Sequence, residues 1–210
     1  MKVLVICGDY YHPSSVIKGG LEPLKAQNIE FDFQEDAKEW TEETMYEYPV
    51  IIFTKSNNIS SKDTTPWDSE EVQSAFTKYV QQGGGLLAIH SGTSGYADSA
   101  KLRALMGGVF IHHPEQCEVT VEIKNNHPIV EGCSNFTIKD EHYFMNFDDS
   151  EAEVFINTSS FNGTQPGGWT RTEGKGRVCV LTPGHNLEVW LEPNFQKMLK
   201  NALSWCSKEI

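Results

Sequence analysis

Basic residues are scarce in this 210-residue chain: Lys and Arg number 17 against 29 Asp and Glu, for a formal net charge of −12. Such a surface repels phosphate backbones, and no run of Lys and Arg is present to neutralise a row of them, which argues against nucleic acid as a partner. No stretch approaches the roughly 18 consecutive apolar residues that a membrane helix needs. The apolar run from Met1 to Cys7 is too short for a secretory leader and ends in Gly8-Asp9 rather than at a small-residue cleavage site. Low-complexity tracts are also missing, and 39% apolar with 22% charged residues is the composition of a chain that packs a core. The five cysteines, Cys7, Cys117, Cys133, Cys179 and Cys206, are odd in number and lack CxxC spacing, which argues against a disulfide framework or a cysteine-ligated zinc. Most lie in apolar, strand-like or helix-like surroundings. Buried free thiols in a reducing compartment follow, so the expected location is the cytoplasm.

What is present is a repeating alternation. Lys2 to Cys7, Glu30 to Phe33, Val50 to Thr54 and Gly85 to His90 read as short strands, the first two-sided in its burial. Between them lie segments of helical spacing, Val16 to Ala26 and Ser69 to Gln82. The second begins at Asp68 or Ser69 as N-cap, carries Glu70 and Glu71 in its first turn, and stops at Gly83-Gly84-Gly85. A further helix is expected from Ser99 to Met106. Strand, helix, strand repetition predicts an α/β fold with parallel strands joined by right-handed crossovers. Beyond Val109 the pattern changes to strands at Cys117 to Ile123, Phe136 to Lys139, Glu153 to Thr158 and Arg177 to Thr182, and then a helix from Pro193 to about Cys206. No linker divides the halves, so residues 1–210 are expected to form a single domain whose second half adds strands to the same sheet.

Open α/β sheets bind ligands beyond the carboxyl ends of their strands, and those positions are polar here. Asp9, Tyr10, Tyr11 and His12 follow the first strand; His90, Ser91, Gly92, Thr93 and Ser94 follow the fourth; Pro183, Gly184 and His185 follow the last. Gly83 to Gly92 reads as a buried strand turning sharply into small residues, similar to a nucleophile elbow, with His90 at the bend. Ser91 with His90 or His185 as base is one reading of that loop; an anion cradle or a plain turn is another. Five of the seven histidines, His12, His90, His112, His113 and His185, fall in loops near one end of the sheet. Converging imidazoles suit proton transfer, metal ligation or the binding of hydroxyls. There is no HExxH or His-x-His spacing to identify a metal site, so the cofactor stays open; a divalent metal such as zinc shared by His90, His113 and His185 is one alternative. Asp140, Glu141, His142 and Tyr143 group two carboxylates with an imidazole and a phenol. Trp169, with Tyr10 and Tyr11, offers flat faces for a sugar ring while Arg171 and Asp140 bond its hydroxyls.

The stretches GGGLLAIHS (Gly83 to Ser91), GGVFIHHP (Gly107 to Pro114), NHPIVEG (Asn126 to Gly132), DEHY (Asp140 to Tyr143), WTR (Trp169 to Arg171) and GKGRVCVLTPGH (Gly174 to His185) together resemble ThuA-like, trehalose-utilisation proteins in order and spacing. The resemblance implies a flavodoxin-like three-layer sandwich with a mainly parallel central sheet, of the class I glutamine-amidotransferase-like type. It implies a place in the breakdown of trehalose-type disaccharides through 3-keto sugars, beside a nicotinamide-dependent sugar oxidoreductase. Amidotransferases of that fold need a cysteine at the elbow, where this chain has His90, so glutamine amidotransfer is not expected. Carried onto this sequence, the resemblance marks His90, His113, Asp140, Glu141, Tyr143 and His185. The expected chemistry is acid/base work on a sugar or keto-sugar by His90, Glu141 and His185, with His12, Ser91, His113, Asp140, Tyr143 and Trp169 shaping the pocket. Glu188, three residues after His185, has no settled role. The alternatives are a noncatalytic sugar-binding or regulatory module and a metal-assisted hydrolase; assembly into a homo-oligomer stays open.

Overall fold

Short runs of aliphatic residues, each buried on both faces, form the centre of the computed structural model, which describes residues 1–210. In chain order the elements are β1 (Lys2–Cys7), α1 (Ser14–Lys25), β2 (Glu30–Gln34), α2 (Glu42–Met45), β3 (Val50–Thr54), α3 (Glu70–Gln81), β4 (Gly85–Ile89), α4 (Ala100–Met106), β5 (Gly108–His112), β6 (Cys117–Ile123), β7 (Phe136–Asp140), β8 (Phe144–Phe147), β9 (Glu153–Ser160), β10 (Gly163–Glu173), β11 (Gly176–Leu181), α5 (Leu187–Leu191) and α6 (Pro193–Cys206). Every residue of β3 and β4 is buried, as expected for strands covered on both sides. α3 starts where its signals predict: the Ser69 hydroxyl accepts the Val72 N–H, Glu70 and Glu71 occupy the first turn, and Val72, Ala75, Phe76, Tyr79 and Val80 face inward.

One nine-stranded sheet runs β2-β1-β3-β4-β11-β10-β9-β6-β7, and β5 pairs with β8 in a separate ribbon. β2, β1, β3, β4 and β11 are mutually parallel. β10, β9, β6 and β7 continue the sheet by antiparallel pairing. The sheet is therefore mixed, a correction to the expected mainly parallel one. Two apolar clusters flank it: α1, α5 and α6 supply Leu21, Trp190 and Leu203 to one, and α3 and α4 supply Phe76 and Leu102 to the other. Burial of this apolar surface is the main favourable contribution to the fold.

Three strands escaped the sequence reading. β10, the longest at 11 residues, contains Gly163, Pro166, Gly167 and Gly168, which read as turn residues. Its pairing with β9 shifts register around Pro166 and Gly168, so the missing N–H of proline is accommodated at an irregularity. β5 and β8 pair only with each other and carry no long apolar run. Otherwise the expected elements are present with ends moved by a residue or two, α1 starting at Ser14 and β4 ending at Ile89.

The antiparallel half matters to the site. Successive reversals from β11 through β10, β9 and β6 put the carboxyl end of β7 on the same edge as that of β11. A flat sheet would hold those two strands about 19 Å apart. Instead the Asp140 carboxylate, which ends β7, accepts the N–H groups of Gly184 at 2.9 Å and His185 at 3.0 Å. Curling of this half and the extension Thr182-Pro183-Gly184 close the distance.

Candidate functional site

Three loops at the carboxyl ends of β1, β4 and β11, with the β7–β8 connection, bring His12, His90, His185 and Glu141 together. The first loop is organised by Asp9. Its buried carboxylate accepts the N–H of Tyr11 and His12, the N–H of Ser56 after β3, and His12 Nδ1–H at 2.8 Å. Burial works to raise the Asp9 pKa, but these donors outweigh it and hold it down to about 2. The carboxylate is therefore ionised, and His12 is fixed with its other ring nitrogen free.

The bend after β4 is strained as the sequence suggests. His90 has φ +45°, a left-handed conformation that an imidazole residue adopts only when its surroundings enforce it. Gly92 packs so closely on β3 that a Cβ there would lie 2.0 Å from the Phe53 carbonyl oxygen. Side-chain contacts complete the restraint: the His90 ring stacks on Tyr143 at 3.9 Å between centroids, and its Nδ1 donates to the Thr182 carbonyl at 2.8 Å.

The ring centroids of His12, His90 and His185 form a triangle with sides of 5.1, 5.2 and 5.5 Å. Glu141 Oε2 sits against it, 3.1 Å from His185 Nδ1, 3.4 Å from His90 Nε2 and 3.6 Å from His113 Nε2. His12 Nε2, His90 Nε2 and His185 Nδ1 are buried and have no hydrogen-bond partner. Burial pushes the His90 pKa down, so its imidazole is neutral despite the nearby carboxylates. Contact with Glu141 raises the His185 pKa. Glu141 lies below the usual carboxylate range: burial opposes this shift, and the contact with His185 outweighs it.

A cavity of about 370 Å³ opens directly onto these groups. Its polar wall is His12, Ser94, His113, Glu141 and His185, and its aromatic wall is Tyr11, Phe110 and Tyr143. Tyr10 and Tyr11 stand exposed beside it at 59% and 65%. A larger hollow of about 490 Å³ near Asn125 to Cys133 contains only His127 as an imidazole. Both His127 nitrogens are engaged there, Nδ1 accepting the Ile129 N–H and Nε2 bonded to the Thr170 hydroxyl, so this histidine caps a 3-10 turn.

Residues 2–206 match the sequence profile of the ThuA family, described as trehalose utilisation. The chain belongs to the ThuA family. Its fold is similar to a putative ThuA-like protein of Parabacteroides merdae, at 19% identity and TM-score 0.77 over 100% of this chain and 90% of that one. A putative ThuA-like protein of Bacteroides uniformis matches at 20% identity and TM-score 0.74, covering 98% of this chain and 91% of that chain. A cytoplasmic protein of Salmonella typhimurium matches at 16% identity and TM-score 0.70, covering 98% and 99%. A search of curated proteins found no match. No helix is long and apolar enough to cross a membrane.

Of the residues marked by the ThuA resemblance, His90, Glu141 and His185 converge, Tyr143 lines the cavity, and His113 stands at its mouth with Nδ1 bonded to the Pro114 carbonyl. His12 joins the centre. Four of the expected residues, Trp169, Ser91, Asp140 and Arg171, stand elsewhere. Trp169 is fully buried with its indole N–H on the Met106 carbonyl at 2.7 Å, so it is core and offers no face to a sugar. Ser91 is buried with its hydroxyl 3.3 Å from that of Thr54, so it neither faces the cavity nor meets an imidazole as a nucleophile would. Asp140 spends both oxygens on backbone N–H groups and positions the His185 loop rather than touching a ligand. Arg171 bonds the Ala104 and Leu105 carbonyls and pairs with Asp149, away from the cavity. His112 stacks on Phe144, and Glu188 is exposed on α5; neither joins the site. Asp9 and Ser94 were missed as site residues, although both lie at strand ends where polar residues carry the signal.

Proposed function

We propose that this ThuA-family chain processes a sugar or 3-keto sugar of the trehalose type in the cavity bounded by His113, Glu141 and His185. The observation that carries the reading is the meeting of a polar histidine-carboxylate centre with an aromatic wall in one pocket. Hydroxyl-rich rings need both surfaces: polar groups to order their oxygens and flat apolar faces for their C–H edges. Beside a sugar carbonyl the C–H is acidic. A base removes the proton and the oxygen that becomes negative needs a positively charged neighbour. His113 is suited to the proton: its Nδ1 is held by Pro114, and its Nε2 has a free lone pair at the cavity mouth. Neutral His90, its Nδ1–H held by the Thr182 carbonyl and its Nε2 lone pair free, fits the base half of its expected acid/base role rather than the acid half.

The nicotinamide-dependent oxidoreductase belongs upstream in this reading, since a keto group on a sugar arises by hydride removal from an alcohol. The expected compartment is the cytoplasm, where the free thiols stay reduced. Trehalose, 3-keto-trehalose and methyl 3-keto-glucosides, offered to the purified chain, test the proposal. Turnover of a keto-sugar that falls at least about 100-fold in His113→Ala and His185→Ala supports it. Equal activity of the variants and the parent refutes the site, and saturable binding without turnover leaves a sugar-binding module in its place.

A further inference from the structure

We propose that His12, His90, His185 and Glu141 bind one divalent first-row transition cation, with zinc the ion whose ligand preferences they match. The inference rests on hydrogen-bond bookkeeping and stands independently of the sugar reading. The Thr182 carbonyl and the ionised Asp9 carboxylate can only accept, so the Nδ1 atoms of His90 and His12 carry the hydrogens. Their Nε2 atoms are then bare lone pairs, buried and without a donor. One of them faces a carboxylate oxygen at 3.4 Å, electron pair against negative charge. Unsatisfied buried acceptors are unfavourable and rarely cluster. A cation among them converts each repulsion into an attraction.

Distance and chemistry agree with this. The four ligand atoms lie within 4.8 Å of one another. Zinc bonds nitrogen and oxygen at roughly 2.0–2.1 Å in tetrahedral geometry, which spaces the ligand atoms about 3.3 Å apart. Glu141 Oε2 already stands 3.1 Å from His185 Nδ1 and 3.4 Å from His90 Nε2. Imidazoles with one carboxylate suit zinc and its neighbours, whereas magnesium and calcium prefer all-oxygen sites. Asp9 and the Thr182 carbonyl are the outer partners that fix ring tautomers in metal sites. The set differs from the His90, His113 and His185 that the sequence suggested: His12 takes the place of His113, which stays at the mouth, and Glu141 is added.

The test uses the full chain stripped by a chelator and titrated with Zn²⁺, with Co²⁺ as a visible-band probe, Mg²⁺ as control and no sugar present. One equivalent of Zn²⁺ and an intense Co²⁺ band that added Zn²⁺ abolishes are expected. Asp9→Asn is expected to weaken binding roughly 10–100-fold, and His12→Gln and Glu141→Gln more than that. His112→Ala, outside the centre, leaves it unchanged. Circular dichroism of each variant separates lost ligands from lost fold. Binding of less than half an equivalent by the parent, or affinities within threefold of the parent in folded His12→Gln and Glu141→Gln, overturns the proposal. Because no sugar is present, that failure leaves the sugar reading intact. Loss of sugar turnover with Zn²⁺ binding retained would be the converse.

Discussion

Asp140→Asn tests whether one buried carboxylate sets the geometry of the site. The two side chains are nearly the same size, so packing is conserved and the change is electrostatic. In the parent, the oxygens accept the Gly184 and His185 N–H groups at 2.9 and 3.0 Å, and the residue is 1% exposed. Asparagine keeps one acceptor and turns an NH₂ toward the second N–H, donor against donor. The loss of one charge-assisted hydrogen bond, with a buried N–H left unpaired, costs about 2–3 kcal/mol. Burial raises the carboxylate's pKa in spite of these donors, so desolvation, which the amide suffers less, offsets much of this. The expected net destabilisation is about 1 kcal/mol, or roughly 2–4 °C in Tm for a chain of this size. Urea titration followed by tryptophan fluorescence measures it as a lower midpoint at unchanged slope. Zn²⁺ affinity is expected to fall too, since the backbone of His185 is what Asp140 holds. A variant as stable as the parent within about 0.5 kcal/mol, with Zn²⁺ affinity unchanged, refutes the assignment of Asp140 as a positioning residue.

Trp169→Phe is expected to cost about 2 kcal/mol by orphaning the Met106 carbonyl and leaving a void, with cation and sugar binding intact; a tenfold loss of sugar affinity at parental stability would contradict the core assignment. The Asp9 contribution has a defined pH window. Its folded pKa is lowered from 3.8 to about 2, so the stabilisation, about 2 kcal/mol, is present above pH 4 and disappears as pH falls toward 2. In chelator, the stability gap between parent and Asp9→Asn is therefore expected to close over that range, and a constant gap would show that the carboxylate is not held by ionic partners. Thiol reactivity follows burial: desolvation pushes Cys7 and Cys206 up to about 12 and raises Cys179 as well. Iodoacetamide at neutral pH is expected to alkylate the partly exposed Cys117 of the native protein first and Cys133, whose thiol burial also pushes up, more slowly, and all five thiols only in urea, with mass spectrometry as readout. Native labelling of Cys179 would show that its strand opens.

The elements legible in the sequence are those whose burial is set locally. β1, β3 and β4 are short aliphatic runs bounded by turn residues, and α3 carries its own cap, acidic first turn and apolar stripe. β10 was not legible because Gly163, Pro166, Gly167 and Gly168 disfavour a strand on propensity, and only pairing on both sides with β9 and β11 overrides them. Trp169 shows the same limit for side chains. In sequence it follows two glycines and reads as a loop platform, yet its strand turns it into the core between Met106 and Phe147.

The sequence by itself determined which residue types stand at strand ends: His12 after β1, His90 at a bend where a cysteine nucleophile is missing, and His185 after β11. Family membership was readable from the order and spacing of the motifs around those positions, and residues 2–206 match the ThuA profile. The choice of His12 rather than His113 for the centre was a tertiary decision, made by the Asp9 carboxylate that turns one ring inward while Pro114 holds the other at the mouth. So was the fate of two adjacent acids, Asp140 bonded to backbone and Glu141 set among imidazoles. Periodicity reports which side of a strand is buried. Hydrogen-bond partners remote in sequence, 45 residues apart for Asp140 and His185, decide where a ring nitrogen or a carboxylate oxygen points.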